Sequence, residues 1–233
     1  VGYVFGTGLN SFGELGIGNT TATDEFNKAG SIPSWGKVVS GMSHGILLSS
    51  THELYTVGRN NKGQLGIGTS GDATNVSTPI KVGSASNWVD ISSHSSSDSS
   101  AALNSLGEIY TWGENYNGEL GVGDTTRRTV PTKVGIKTDW ITVSMGSSNL
   151  SAIDSSHLLY YCGYGLTSSL VQLGEDSDWS RIWAGSTYLI AQKSSGHIYG
   201  YGTNYYGELG LGSAISITSL TQIGDKTDWV DIA

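Results

Sequence analysis

A six-residue pattern, Gly-Glu/Gln-Leu-Gly-x-Gly, occurs four times along the chain. The copies are residues 13–18, 63–68, 118–123 and 207–212, and in each an Asn stands three residues before the first Gly. A short run that ends in glycine precedes each copy: Tyr3 to Gly6, Tyr55 to Gly58, Tyr110 to Gly113 and Tyr199 to Gly202. Internal similarity at a period of about 50 residues is typical of repeat architectures. The chain is therefore predicted to fold as a series of equivalent units.

Tryptophans define the period. Trp35, Trp88, Trp140, Trp179 and Trp229 each precede a β-like run, at spacings of 53, 52, 39 and 50 residues. These spacings divide a single domain, 1–233, into units at about 1–34 (partial), 35–87, 88–139, 140–178, 179–228 and 229–233 (partial). The short unit lacks the glycine corner after its Tyr-containing run. That unit is expected to have one short face.

Each unit contains about four short apolar runs separated by turn residues, and no stretch shows a helical period. Four-stranded units repeated about every 50 residues predict an all-β fold, a β-propeller of about five units with one of them shortened. We expect less than about 5% helix on this pattern.

The glycine corner is predicted to be structural. Its glycines supply the positive φ that a chain reversal needs, and its leucine fills the core between blades. The residue between them is Glu14, Gln64, Glu119 or Glu208. Because Gln cannot protonate a leaving group, this position is predicted to accept hydrogen bonds from loop amides. The predicted corner residues are Gly13, Leu15, Gly16, Gly63, Leu65, Gly66, Gly118, Leu120, Gly121, Gly207, Leu209 and Gly210.

Composition excludes several classes of function. The chain has 12 basic and 20 acidic residues, so no basic footprint for nucleic acid or an anionic membrane is present. No run approaches the roughly 18 apolar residues of a membrane span, which predicts no membrane insertion. The single cysteine, Cys162, excludes an internal disulfide and a cysteine-rich zinc site, and is predicted to be a small buried apolar residue.

The glycine corners and the histidines do not form a cofactor or metal motif. The glycine corners lack Gly-Lys-Ser/Thr and precede no predicted helix, so they do not form a phosphate loop. The five histidines have no ligand spacing on one element. We predict no cofactor, no bound metal and no enzymatic activity.

The corner, combined with the stretch from Trp35 to Leu48 that contains Gly41 and His44, resembles the repeat of the regulator of chromosome condensation family. The Gly-Gly doublet of kelch repeats and the Trp-Asp dipeptide of the other common propeller repeat are absent. The family's His position is His44 in the first full unit, falls near Ser97 in the second, and becomes Asn149 and Tyr188 in the others.

The resemblance implies three uses: nucleotide exchange on a small GTPase, docking of other proteins, and structural roles in microbial or viral appendages. Relatives with the exchange role carry a complete seven-bladed disc, a projecting wedge and often a basic tail. This chain shows fewer units, no long insertion and no basic tail. We therefore interpret it as a non-catalytic module for protein–protein interaction or a structural role within a larger assembly. Exchange on a small GTPase is the alternative.

Two further expectations concern where the protein is located and whether its propeller forms a closed ring. The Ser/Thr/Gly/Asn-rich, acidic composition suits a virion or extracellular surface component. Because the chain begins at Val1 and its fifth Trp-led run stops at Ala233, we expect part of a longer protein. The units would then form an arc of a larger, seven-bladed type of propeller, or an end capped by a partner chain. Hydrogen bonds between residues 1–7 and 229–233 would instead indicate a sealed five-bladed ring.

The candidate interaction residues are those that vary at the corners. Variable aromatic side chains on a constant scaffold suit recognition of a protein partner, since aromatics dominate contact energetics. The alternative is that they pack over adjacent blades. They are Phe12, Asn61, Lys62, Tyr116, Tyr205 and Tyr206.

Overall fold

A computed structural model of the chain describes residues 2–32 and 34–232. Within these ranges the backbone forms eighteen β-strands in five antiparallel sheets. The helical residues in the same ranges are a single 3-10 turn, Asp72–Thr74. The predicted all-β propeller is confirmed.

The sheets follow one another along the chain, and each is a simple meander. Sheet 1 has two strands, β1 (Phe5–Gly8) and β2 (Thr23–Lys28). The other sheets have four strands each. Sheet 2 contains β3 (Trp35–Ser40), β4 (His44–Ser49), β5 (Leu54–Gly58) and β6 (Val76–Lys81). Sheet 3 contains β7 (Trp88–Ser92), β8 (Ser99–Asn104), β9 (Ile109–Gly113) and β10 (Arg128–Lys133). Sheet 4 contains β11 (Trp140–Met145), β12 (Asn149–Asp154), β13 (Leu159–Gly163) and β14 (Val171–Gln172). Sheet 5 contains β15 (Trp179–Ala184), β16 (Tyr188–Lys193), β17 (Ile198–Gly202) and β18 (Ile217–Gln222).

The Trp-led strands lie on the inner side of the arrangement. In sheets 2 to 5 the first strand contacts the first strand of the neighbouring sheet, β3 with β7, β7 with β11, and β11 with β15. Each leading Trp is buried and packs edge-on against the Tyr of the third strand of its own sheet, with ring centroids 4.9–5.3 Å apart. The sheets therefore stand radially, with their first strands toward a common axis.

The core lies between neighbouring sheets. One apolar cluster joins Ile46 and Leu48 of sheet 2 to Ile91 and Trp112 of sheet 3. Similar clusters join sheet 3 to sheet 4 and sheet 4 to sheet 5. Every residue of the second strands β4, β8 and β12 is buried. Each sheet thus buries its faces only against its neighbours, as repeat proteins do.

Sheet 4 has the short face that the sequence predicted. Its last strand, β14, has two residues, and a turn closed by Gly163 N–H donating to Thr167 O at 2.7 Å replaces the glycine corner. An isolated bridge between Val122 and Ser169 remains between this segment and sheet 3.

One alignment made from the sequence was wrong. The run that matches Tyr55 to Gly58 is Phe5–Gly8, not Tyr3 to Gly6. Gly8 has a φ of 104°, close to the 102° of Gly58, and Ala29 N–H donates to Val4 O as Val82 N–H donates to Leu54 O. The shift is two residues, so the same face of the strand stays buried. Both alignments also end in a glycine, Gly6 in one and Gly8 in the other.

The two ends of the described chain are open. No hydrogen bond joins residues 2–8 to residues 229–232. A separate observation is that residues 2–32 and 34–232 contain no helix of the length and apolarity that a membrane span requires.

Candidate interaction surface at the corner loops

Each corner loop is organised by one fully buried asparagine. The loops are residues 10–18, 60–68, 115–123 and 204–212, and each lies between the last two strands of its sheet. The Asn side-chain oxygen accepts from the Leu N–H five residues later at 2.9–3.1 Å, and its nitrogen donates to a carbonyl at the loop exit at 2.7–3.0 Å. The residues are Asn10, Asn60, Asn115 and Asn204. The sequence analysis gave these asparagines no role, although their constant position three residues before the first corner glycine indicated a structural one.

The variable acid or amide of the corner accepts a loop amide, as predicted. Glu14, Gln64, Glu119 and Glu208 accept the backbone N–H two residues earlier at 2.7–2.9 Å. Burial raises the pKa of the Glu119 carboxyl. Either Glu or Gln can cap the loop in this geometry, because the loop N–H needs only a side-chain oxygen as its acceptor.

Three of the four corner leucines are buried, and Leu120 lies in the apolar cluster between sheets 3 and 4. Leu65, Leu120 and Leu209 are buried, whereas Leu15 beside the two-stranded sheet is only half-buried. The corner glycines have positive φ, and in the first three loops they lie against the next sheet. A Cβ on Gly118, for example, would come within 2.6 Å of the Ser168 Cα.

The six candidate residues occupy two different positions of the loop. The residue after the organising Asn points outward. Tyr116 and Tyr205 stand there with 80% and 67% of their surface exposed. Asn61 shares this position but is half-buried, and its side-chain oxygen accepts from Gln64 Nε2 at 3.1 Å.

The next position reaches toward the following sheet. The Phe12 ring centroid lies 4.5 Å from the Arg59 guanidinium, and Lys62 Nζ lies 2.6 Å from a Glu114 carboxylate oxygen. Arg59 and Glu114 both directly follow the third strand of the next sheet. Tyr206 occupies the same position and is 93% exposed. The loops therefore do not bring all six residues into one patch, and their role in binding stays a prediction.

A buried polar contact links sheets 2 and 3. His44 Nε2 and the Ser100 hydroxyl are 3.0 Å apart, and burial lowers the pKa of His44 to about 4. In sheet 3 the position equivalent to His44 is Ser99, not the region of Ser97, because Ser99 pairs with Gly113 as His44 pairs with Gly58. The extra serines lengthen the preceding turn.

The other histidines are not arranged for metal binding. In His52 and His157 the Nδ1 atom lies 2.9 Å from the carbonyl oxygen of the Trp that begins the next sheet. Among residues 2–32 and 34–232 no three His, Cys, Asp or Glu side chains are grouped to hold a metal ion. Cys162 is buried, and burial raises the pKa of its thiol.

Known proteins share this repeat. Residues 51–101 and 107–153 match the family model of the regulator of chromosome condensation (RCC1) repeat. Each matched segment runs through the last two strands of one sheet into the first two of the next. The sequence repeat therefore straddles two blades.

Whole-chain similarity extends beyond these segments. The ultraviolet-B receptor UVR8 of Arabidopsis thaliana is 29% identical over 94% of this chain, and the mouse regulator of chromosome condensation is 26% identical over 98%. The chain spans 53% and 62% of their lengths. The crystal structure of human WBSCR16 superposes with a TM-score of 0.85 at 20% identity, over 97% of this chain and 64% of that protein. Residues 51–101 and 107–153 of this chain therefore carry repeats of the regulator of chromosome condensation family, within a β-propeller fold.

Proposed function

We propose that this chain is a non-catalytic protein-binding module that recognises its partner through the outward-pointing residues of the corner loops. The observation that carries the proposal is the exposure of Tyr116 and Tyr205 on loops whose backbone is fixed from inside. Rigid loops on a constant scaffold are a common position for binding residues.

The loop architecture supports recognition because it fixes the loop before a partner arrives. The buried Asn115 ties Leu120 N–H to the loop exit, and Glu119 caps the amide of Asn117, so the backbone around Tyr116 is held on both sides. A binding surface that is already ordered loses less conformational entropy on association. Tyrosine adds a large contact area with few rotatable bonds.

Nucleotide exchange on a small GTPase is the second candidate. It is favoured by the likeness to the mouse regulator of chromosome condensation. The chain has neither a long loop between its strands that could serve as a wedge nor a basic balance of charge, within the residues described. Docking without exchange therefore accounts for more of what this chain contains. A location on a virion or an extracellular surface is part of the same proposal and rests on composition.

Site-specific crosslinking tests the surface. A photo-crosslinking amino acid is placed at position 116 or 205, and in a control at Ile136, which is exposed but lies outside the corner loops. We expect a discrete protein adduct from positions 116 and 205, and loss of that partner in a Tyr116→Ala/Tyr205→Ala double variant but not in Ile136→Ala. Equal crosslinking from position 136, or retention of the partner by the double variant, would contradict the proposal.

A separate assay addresses exchange. Release of fluorescent GDP from a panel of small GTPases is measured with and without the chain. We expect no acceleration. A rate increase of about tenfold or more, equivalent to about 1.4 kcal/mol, would favour the exchange role instead.

A further inference from the structure

The fourth strand of each full sheet is its outermost strand. Sheets 2, 3 and 5 end at β6, β10 and β18, and within residues 2–32 and 34–232 no further strand pairs with their outer edges. Sheets 2 and 3 have a neighbour on each face and still end in this way. The free edge therefore arises from the radial arrangement and does not depend on how many sheets the propeller contains. The N–H and C=O groups along such an edge can pair with a strand of another chain.

The hydrogen bonds of β18 show which of its backbone groups point outward. Ile223 N–H, directly after the strand, donates to Ile198 O of β17 at 2.9 Å. Alternate residues of an antiparallel strand bond to the same neighbour. Thr221 therefore also bonds toward β17, whereas the backbone N–H and C=O groups of Leu220 and Gln222 point away from the sheet. These outward groups are the ones that a further strand would meet.

Two other outermost strands carry residues that oppose pairing at these outward positions. Val82 after β6 and Val134 after β10 donate to the third strand of their sheets as Ile223 does, which aligns the three strands. The position of Leu220 is then a proline, which has no N–H to donate, and the position of Gln222 is a lysine, whose charge opposes pairing. These residues are Pro79 and Lys81 in β6, and Pro131 and Lys133 in β10.

The edge of β18 carries neither feature. Its sequence, Ile-Thr-Ser-Leu-Thr-Gln, has no proline and no charge, and the sequence from 213 to 223 contains no charged residue. By contrast, β2 is charged and β14 has only two residues. Thr218, Ser219 and Gln222 are exposed. Because the chain has a net charge of -8, an uncharged segment is where two copies can approach with the least repulsion.

We propose that two copies of this chain associate through β18, which pairs antiparallel with β18 of the second copy across a twofold axis. Pairing centred on Leu220 places the two Leu220 residues opposite each other, so that the N–H of each donates to the carbonyl of the other. Thr218 then lies opposite Gln222 on either side, and every opposed side chain is uncharged. Because a twofold contact uses the same surface of both copies, the assembly closes at two chains.

Mass as a function of concentration tests the proposal. Sedimentation velocity of the intact chain from micromolar to millimolar concentration should show the 24.5 kDa species converting to one of twice that mass and to nothing larger. Leu220→Pro gives β18 the proline of β6 and β10, and Ser219→Lys brings two ammonium groups to one face of the joined sheet. Each should weaken dimerisation at least about tenfold. Thr78→Lys is the matched control, because Thr78 holds the position of Ser219 in β6 and is also exposed, and it should dimerise like the unmodified chain.

Amide hydrogen exchange distinguishes strand pairing from other dimers. The Leu220 N–H should exchange at least about tenfold more slowly in the dimer than in the monomer, whereas the Thr221 N–H, which already bonds toward β17, should change less. Circular dichroism checks the fold of each variant, and the exposed Ser219→Lys change decides the outcome if Leu220→Pro unfolds.

Four results would each overturn the proposal. They are a chain that stays monomeric up to millimolar concentration, larger assemblies in place of a two-chain species, dimerisation unaffected by the β18 variants, and unchanged exchange at Leu220. None of these results depends on Tyr116 or Tyr205, so the test is separate from that of the protein-binding surface.

Discussion

His44 Nε2 lies 3.0 Å from the hydroxyl of Ser100 on the next sheet, and that hydroxyl donates to the backbone carbonyl of Gln64 at 3.0 Å. Because the hydroxyl proton is used in the second bond, His44 must donate from Nε2 in the first. The neutral imidazole satisfies this arrangement, and its burial opposes protonation.

The pKa of His44 predicts an acid-sensitive stability. The pKa is about 4 in the folded protein and 6.5 in the unfolded chain, so between these values only the unfolded state binds the proton. The unfolding free energy should fall as pH is lowered from 6.5 to 4, by about 3 kcal/mol from this group. Denaturant unfolding at several pH values measures it. His44→Asn is the control, since Asn149 takes the same place in sheet 4, and the two proteins should differ in slope over this window. Equal slopes would contradict the assignment.

Glu119 should be replaceable by Gln but not by Ala. An amide oxygen can accept the Asn117 N–H as Gln64 accepts the Lys62 N–H, so Glu119→Gln should change stability by less than about 0.5 kcal/mol at neutral pH. Glu119→Ala leaves a loop N–H without its acceptor and should cost about 1–3 kcal/mol. Because burial raises the pKa of the Glu119 carboxyl, the contribution of this group to stability falls as pH rises above about 4.5, so the unmodified chain should lose stability relative to the Gln variant over that range. A Gln variant as unstable as the Ala variant would refute the capping role.

Gly118→Ala and Gly207→Ala separate backbone strain from packing. The two glycines have nearly the same φ, so both substitutions cost about 1–3 kcal/mol of conformational strain. Only the Gly118 substitution also drives a Cβ into the Ser168 backbone. Its unfolding free energy should therefore fall further, by at least about 1 kcal/mol. Thermal or denaturant midpoints measured on monomeric protein compare the two, and an equal loss would show that the inter-sheet contact contributes nothing.

The corner leucines should differ in cost according to their burial. Leu120→Ala and Leu65→Ala remove fully buried side chains and should cost about 2–5 kcal/mol each. Leu15→Ala, at the half-buried equivalent in sheet 1, should cost clearly less. Denaturant unfolding of the three variants tests the order, and a Leu15 variant as unstable as the Leu120 variant would contradict it.

The repeated motifs allowed the fold to be predicted from the sequence. The apolar runs between the leading Trp and the glycine corner predicted four strands in a unit, and the missing corner predicted that sheet 4 is the short one. The same repetition hid the register of the first strand, because Tyr3 to Gly6 fits the Tyr-x-x-Gly pattern, whereas the true equivalent, Phe5 to Gly8, has Phe in place of Tyr. The hydrogen bond from Ala29 to Val4 decides between them, and it depends on a partner 25 residues away.

The candidate surface was only partly predictable. Variation at the corners identified the loop tips, but Phe12 and Tyr116 look alike in a sequence and differ by one position in the loop. One position points to solvent and the next reaches the following sheet. That difference arises from the radial arrangement of the sheets, which no single repeat contains.

The apolar clusters that stabilise this molecule join only adjacent sheets, so the order in which the sheets unfold depends on their positions in the series. Where stability is shared between neighbours, the interior units are held from both sides and the terminal units from one. Sheet 1, with two strands and one neighbour, should exchange its amide hydrogens fastest, and β8 and β12 in the middle should exchange slowest. The molecule would then lose structure from its ends inward, one sheet at a time, and any partner seated on an open end would slow the whole process.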